Sequence, residues 1–432
     1  MNPTRVLLLG GNFKPELTGI GKYNGEMIDW LAANGYDCAV VTTYPYYPEW
    51  SVSPAYKNKS YWYSSTKTAM GTGSIRVMRC PHYVPKSPSG GKRMLSDFSF
   101  FISAFFRLLA VIFTHKKYHH VIAVAPPFHI GMLALLYKWT RGAKMVYHIQ
   151  DLQIDAANEL GMVKQKWLIR LLMKAELFIL KRTDHISSIS AGMIGKIKAK
   201  LDRPVLFFPN WVNTEELYPI TDKTGLKEKF GFPATSKLVL YSGAIGEKQG
   251  LDQILEAASK LRGEAICFAI CGTGPYKEKL EEIAKAMGLD NVRFLALQPK
   301  EVFNDFLNSA DLHLVIQKAN ANDLVMPSKL TGILAVGGLA LVTAPADSSL
   351  YRYISGENIA VLALPDNQSS ITQGIYQALF NPPAGVRTNA WNFAENTLNI
   401  ERIMPRFLES INAAMAKPAA EVNNPPVRII SE

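Results

Sequence analysis

Cysteine is scarce: Cys38, Cys80, Cys267 and Cys271 are the only four in 432 residues, and none forms a C-x-x-C pair. That excludes a disulfide scaffold and argues against a cysteine zinc site. No two aspartates lie two positions apart, so a D-x-D metal pair is missing. Neither G-x-x-x-x-G-K-[ST] nor H-E-x-x-H occurs, which removes P-loop ATPases and the corresponding zinc hydrolases. No metal and no cofactor are therefore expected. Charged residues make up 19 % against 48 % hydrophobic, the balance of a folded globular chain and not of a disordered one. The first residues run directly into an apolar stretch without the pattern of a secretory signal, so a cytoplasmic protein is expected.

What is present is uneven charge. Residues 1–208 hold 27 Lys and Arg against 12 Asp and Glu, whereas residues 209–432 hold 20 against 24. A basic first half faces nucleic acid, anionic lipid or a phosphorylated substrate. The basic residues are spread out and not interleaved with aromatics on one motif, so nucleic acid is not expected as a partner.

Short β-rich apolar runs alternate with helical patterns along the chain, at 6–9, 38–42, 75–79, 121–124, 144–148, 185–189 and 205–208. A second series follows at 238–241, 265–271, 292–295, 312–316, 340–343 and 359–362. Such alternation predicts an α/β protein of two tandem doubly wound parallel sheets facing a cleft. The expected domains are 1–208 and 209–385. Closing helices at 386–416 pack back on the first domain, and a disordered tail spans 417–432. The segment 98–113, FSFFISAFFRLLAVIF, is too short and too interrupted by Arg107 to predict a membrane span. It reads either as a buried helix or as an interfacial helix on anionic lipid, with Ser96, Ser99, Ser103 and Arg107 on one stripe.

Several strand ends carry the residues of a ligand site. Gly19-Ile20-Gly21 opens a helix after the first strand, followed by Lys22 and Tyr23. The loop is too long for a dinucleotide motif, and Asn24 stands where its third glycine would be. His148 and Asp151 close the strand at 144–148, where a His can donate to a sugar hydroxyl and a carboxylate can orient or deprotonate one. Gly243, Gly246 and Lys248 form a small-residue turn suited to a diphosphate. Gly272 and Gly274 make another turn, which either packs near a nucleotide or only turns the chain. The strongest feature is Met326-Pro327-Ser328-Lys329-Leu330-Thr331. Pro327 suits a first helical position, so free amides, the positive helix end and the Lys329 charge converge on a pyrophosphate.

The segments PELTGIGKYNGEM (15–27), PYYPEW (45–50), YHIQDLQIDA (147–156), FFPNW (207–211), YSGAIGEKQGLD (241–252), GTGP (272–275) and MPSKLTGILAVGG (326–338) together resemble a retaining family 4 glycosyltransferase of GT-B fold. Within it they are most similar to the WcaI-type enzymes of colanic acid and other exopolysaccharide clusters. The resemblance covers about residues 4–412. It implies a nucleotide diphosphate-sugar donor held mainly by the second domain. It also implies a saccharide acceptor linked to polyprenyl pyrophosphate and held by the first, with retention in the cleft. Donor contacts would come from Gly19, Gly21, Gly243, Gly246, Lys248, Gly272, Gly274, Pro327, Ser328, Lys329, Leu330 and Thr331. Ile20, Lys22 and Tyr23 would face the acceptor, His148 the transferred sugar, and Asp151 the acceptor hydroxyl. The protein would sit on the inner face of the plasma membrane as a peripheral enzyme. The family's E-x7-E pair falls on Leu324 and Gly332, with Asp323 the only nearby carboxylate. Its usual phosphate-loop Arg and Lys fall on Ala244 and Gln249, so Lys248 is expected to substitute. A nucleotide-sugar epimerase of the same fold, a nicotinamide-dependent oxidoreductase and a non-catalytic polysaccharide-assembly or lipid-binding protein remain as alternatives.

Overall fold

Strand β1 (Arg5–Leu9) is buried from Val6 onward and carries no polar side chain after Arg5. Such a strand belongs in the middle of a parallel sheet covered on both faces. The computed structural model describes residues 3–16, 19–159, 165–319 and 327–413. In it β1 sits between β2 (Asp37–Thr43) and β5 (His120–Ala125), both parallel to it. Beyond β2 come β4 (Gly73–Cys80) and β3 (Ser64–Met70), and beyond β5 come β6 (Lys144–Ile149), β7 (His185–Ser188) and β8 (Val205–Phe207). The single antiparallel member, β3, is an exposed edge strand of mostly polar residues. It was not legible in the sequence because it has no apolar face to alternate.

The second sheet, in the order β11-β10-β9-β12-β13-β14, is wholly parallel. Its strands are β9 (Lys237–Ser242), β10 (Ile266–Cys271), β11 (Val292–Leu295), β12 (Leu312–Val315), β13 (Ala340–Thr343) and β14 (Val361–Ala363). In both sheets the chain starts in the middle and reverses direction across the sheet. The reversal points lie at β1/β5 and β9/β12, and ligands of doubly wound folds bind outside the carboxyl ends there.

Two segments join the halves. Trp211 donates from its indole to Glu26 at 2.9 Å and lies edge-on to Tyr23, with ring centroids 5.5 Å apart. Val212 bridges in parallel to Asn399. From there the helix Ile400–Ala413 returns to the first domain, where Ile403, Met404 and Phe407 join the cluster of Val6, Leu8 and Phe208. The preceding helix, Val386–Phe393, stays with the second domain, its Ala390 and Phe393 packed with Leu334 and Val342. The changeover is thus Asn399 itself, whose amide donates to Thr214 at 2.7 Å. The tail at 417–432 lies outside the described residues.

The apolar segment around residues 98–113 is part of a longer helix, Gly90–Thr114. Phe100, Ala104, Leu108 and Val111 pack into the core. The serine stripe also faces protein: Ser103 bonds Tyr63 at 3.2 Å, and Ser99 accepts from the Tyr83 amide at 2.9 Å. The outward residues are the apolar Leu95, Phe98, Ile102, Phe106 and Phe113. Among the described residues this is the one helix long and apolar enough to cross a membrane, by length and composition only.

Candidate active site

After β9 the chain turns through Gly243 and Ile245, and after β10 through Gly272 and Gly274. The two turns are stitched together by Gly243 N–H to Cys271 O at 3.0 Å and Ile245 N–H to Thr273 O at 2.9 Å. The approach is so close that a Cβ on Gly272 would lie 1.9 Å from the Gly243 carbonyl oxygen. One on Gly274 would lie 2.1 Å from that of Ile245. These glycines therefore shape the Gly243–Gly246 turn from behind.

After β12 the chain reaches the helix Ser328–Ala335, with Pro327 one place earlier, at the cap. Proline at this boundary costs no hydrogen bond, because the first helical amides have no intrahelical acceptor. Leu330 is fully buried with Val315 and Val342 and anchors the helix, so its side chain does not line the site. Thr331 is buried too, donating to the Ser328 carbonyl at 2.8 Å. Ser328 is exposed at the helix start.

Lys329 reaches back to the β9 turn. Its Nζ lies 3.9 Å from the centroid of the Tyr241 ring, and a Cβ on Gly243 would sit 3.3 Å from it. The Tyr241 hydroxyl donates to the Ala244 carbonyl at 2.6 Å and so holds the ring still. Burial alone lowers the Lys329 pKa to about 7, and no carboxylate bears on it among the described residues. A cation held over an aromatic face, without an acid, at the reversal point of a doubly wound sheet is poised for an anionic ligand. Lys248 stands in the short turn Glu247–Gln249 of the same loop, and its side chain lies outside what is described. So do Asp323 and Leu324.

The first domain faces this site with the helix Gly19–Ala33. Gly19 has φ +58°, a left-handed conformation that glycine adopts freely. Gly21 is required by contact, since a Cβ there would lie 2.6 Å from the Glu16 carboxylate. Ile20 packs against the core beneath, Tyr23 is buried against Trp211, and Lys22 stays near the surface, 3.9 Å from Glu26.

Glu16 is a residue that sequence reasoning missed. It is buried, and its Oε1 accepts from the backbone amides of both Tyr46 and Tyr47 at 3.0 Å. Its Oε2 accepts from the Asn12 side chain at 3.0 Å. Burial raises its pKa, while those hydrogen bonds and the nearby Arg79 oppose the rise. One carboxylate thus ties the chain at Glu16, just before the Gly19 helix, to the amides of Tyr46 and Tyr47. Tyr47 lies beside Gly19, 3.8 Å from where its Cβ would be.

His148 and Asp151 occupy the carboxyl end of β6 in different surroundings. Asp151 is solvent-accessible yet walled by protein, which raises its pKa, with Asp155 adding to the rise. His148 is 2 % exposed, its Nδ1 3.0 Å from Ser187 Oγ and its ring edge-on to Phe208. Burial lowers its pKa to about 3, so it is a neutral imidazole beneath the cleft and offers no charge to a ligand. Among the described residues no cluster of three or more His, Cys, Asp or Glu is placed to hold a metal ion.

Comparison with known proteins follows this geometry. Residues 18–211 match the model of a glycosyl transferase 4-like domain, and residues 222–395 match that of glycosyl transferases group 1. The chain is 40 % identical over 415 residues to a putative colanic acid biosynthesis glycosyl transferase, WcaI, of Escherichia coli K12, covering 94 % of this chain and 99 % of that one. Sucrose-phosphate synthase of Thermosynechococcus elongatus superposes with a TM-score of 0.73 at 14 % identity, covering 96 % of this chain and 99 % of its own. HepE of Anabaena, solved in complex with UDP and glucose, gives 0.65 at 12 % identity, covering 95 % of this chain and 100 % of its own. The two sheets with their flanking helices are those of the GT-B fold.

Proposed function

The chain belongs to the glycosyl transferases of group 1 with a 4-like amino-terminal domain, and from that premise we propose that it moves a sugar from a nucleoside diphosphate-sugar to a saccharide acceptor on polyprenyl pyrophosphate, with retention and without a metal. The observation that carries the reading is Lys329, a cation between the Ser328 helix start and the Gly243 turn on which no carboxylate bears among the described residues. The relation to WcaI favours colanic acid or a similar exopolysaccharide as the product, and the UDP and glucose held by HepE favour a nucleotide-sugar donor.

In this reading the donor diphosphate rests on the amides of Ser328 and Lys329, with the Lys329 ammonium and the Gly243–Gly246 turn around it. These groups stabilise the charge that develops on the leaving diphosphate. The Gly19–Gly21 segment closes from the other side. Asp151 orients the acceptor hydroxyl, and neutral His148 supports the floor beneath. The acceptor oxygen attacks the anomeric carbon from the face that the diphosphate leaves, and the hydroxyl proton passes to the departing phosphate oxygen.

The outward face of the Gly90–Thr114 helix, with the exposed Trp62 and the basic first half, favours contact with anionic lipid. In this reading the enzyme works at the inner face of the plasma membrane, where a lipid-linked acceptor is reached. The test is transfer of labelled sugar from a panel of UDP- and GDP-sugars to lipid-linked saccharides in EDTA. Labelled glycolipid supports the reading; donor epimerisation without transfer, or donor binding without turnover, contradicts it.

A further inference from the structure

The amino ends of β9, β12 and β13 frame a cavity of about 1020 Å³ in the second domain. Lys329 stands at the carboxyl ends of the same sheet, a strand length away, roughly 15–20 Å. The cavity is built from segments far apart in sequence: 219–228 after the domain linker, 309–311 before β12, and 387–391 before the return to the first domain.

Three cations converge there on too little negative charge. Asp311 is already engaged: its Oδ2 accepts from the Leu238 amide at 2.7 Å and from Lys227 at 2.7 Å. Arg387 donates to the carbonyl oxygens of Asp311 at 2.6 Å and Gly337 at 3.5 Å; it makes no ion pair among the described residues, and the Asp311 carboxylate acts on it from a distance. Lys223 makes no ion pair among the described residues; Arg387 and Lys227 press on it and Asp311 partly offsets them. The other acid of the lining, Glu228, is exposed. Beneath, His313 Nε2 is buried without a hydrogen-bond partner and feels both Arg387 and Lys223. Partial burial lowers the pKa of Lys223 and Arg387, Asp311 opposes both shifts, and both residues stay open to solvent, where an anion can reach them.

We propose that this cavity is a second anion site, for a phosphate or diphosphate group, held by Lys223 and Arg387 with the hydroxyls of Thr221 and Thr388. A guanidinium beside a flexible ammonium and hydroxyl donors is the set that phosphate oxygens require. An occupant would tie the 219–228 segment to the 387–391 segment. Both lie in the second domain, 219–228 just after the outgoing linker and 387–391 in the helix that precedes the return at Asn399.

The experiment is calorimetric titration of the full chain with inorganic pyrophosphate and, separately, inorganic phosphate. The wild type is compared with Lys223→Ala, Lys329→Ala and the double variant. Lys223 holds no structural contact, so its variant keeps the wild-type thermal midpoint, whereas an Arg387 variant would free two backbone carbonyls. The expected result is two pyrophosphate sites in the wild type, one in each single variant and none in the double. Binding with a single site that Lys329→Ala abolishes and Lys223→Ala leaves unchanged would overturn the proposal without touching the donor assignment. Loss with Lys223→Ala alone would uphold it even if Lys329 played no part. The phosphate titration separates a monoester site from one that requires a diphosphate.

Discussion

The Lys329 ammonium is 3.9 Å from the centre of the Tyr241 ring, and that ring is fixed by the hydroxyl bond to Ala244. The lysine is therefore positioned by an aromatic face and, among the described residues, by no carboxylate. Burial lowers its pKa to about 7, a shift that a bound anion should reverse.

With its pKa at about 7, Lys329 is mostly neutral above that value in the unliganded protein. A diphosphate favours the charged form and raises the pKa. Binding of a nucleoside diphosphate at pH 8 is thus expected to take up close to one proton. Affinity should fall as pH rises above 7. Titrations in two buffers of different ionisation heat measure the uptake. A heat independent of buffer would contradict the account.

The close turn-to-turn packing makes a steric prediction. Gly272→Ala and Gly274→Ala place a Cβ on a carbonyl oxygen, at 1.9 and 2.1 Å. Each is expected to lose about 1–3 kcal/mol of stability and to weaken nucleotide binding. Gly263→Ala, with nothing within 4 Å of the added methyl, should leave both unchanged. Thermal unfolding checks all three.

Glu16→Ala leaves the Tyr46 and Tyr47 amides without their acceptor. Glu16→Gln keeps one acceptor oxygen but turns an amide donor toward the Asn12 amide. Both are expected to lower turnover about 10-fold or more, the alanine further, at near wild-type nucleotide affinity. A matched loss of nucleotide affinity would assign Glu16 to the donor side instead.

The outer face of the Gly90–Thr114 helix is tested with vesicles. Phe98→Asp combined with Phe106→Asp changes two outward rings, whose ring partners are the half-buried Phe101 and Phe105, so a thermal midpoint is measured beside it. The wild type should sediment with anionic vesicles at low salt and be released at high salt. The variant should remain in solution. Equal sedimentation of the two would remove this face from the account.

The parallel strands were legible because each is a short apolar run bounded by glycine or a polar turn, as at Val6–Leu9 and Leu238–Tyr241. The motif around Lys329 was legible because proline, free amides and a cation act locally. Glu16 was not, since its partners are the amides of Tyr46 and Tyr47, 30 and 31 positions away. The cavity beside Arg387 was hidden for the same reason, being assembled from segments far apart in the sequence. The serine stripe of the Gly90 helix could be read as a stripe, but its inward direction depends on Tyr63 and Tyr83. His148 could be placed at a strand end, but not its burial under Phe208, which depends on the return of Phe407 to stack on that ring at 3.9 Å.

The central claim is that Lys329 holds the donor diphosphate. The most direct measurement is calorimetric titration with UDP and GDP in EDTA, beside NAD, for the wild type and Lys329→Ala. The account predicts that one nucleoside diphosphate binds the wild type without metal, that NAD does not, and that the variant binds at least 10-fold more weakly with its fold intact. Equal affinity in the two proteins, or binding of NAD alone, would contradict it.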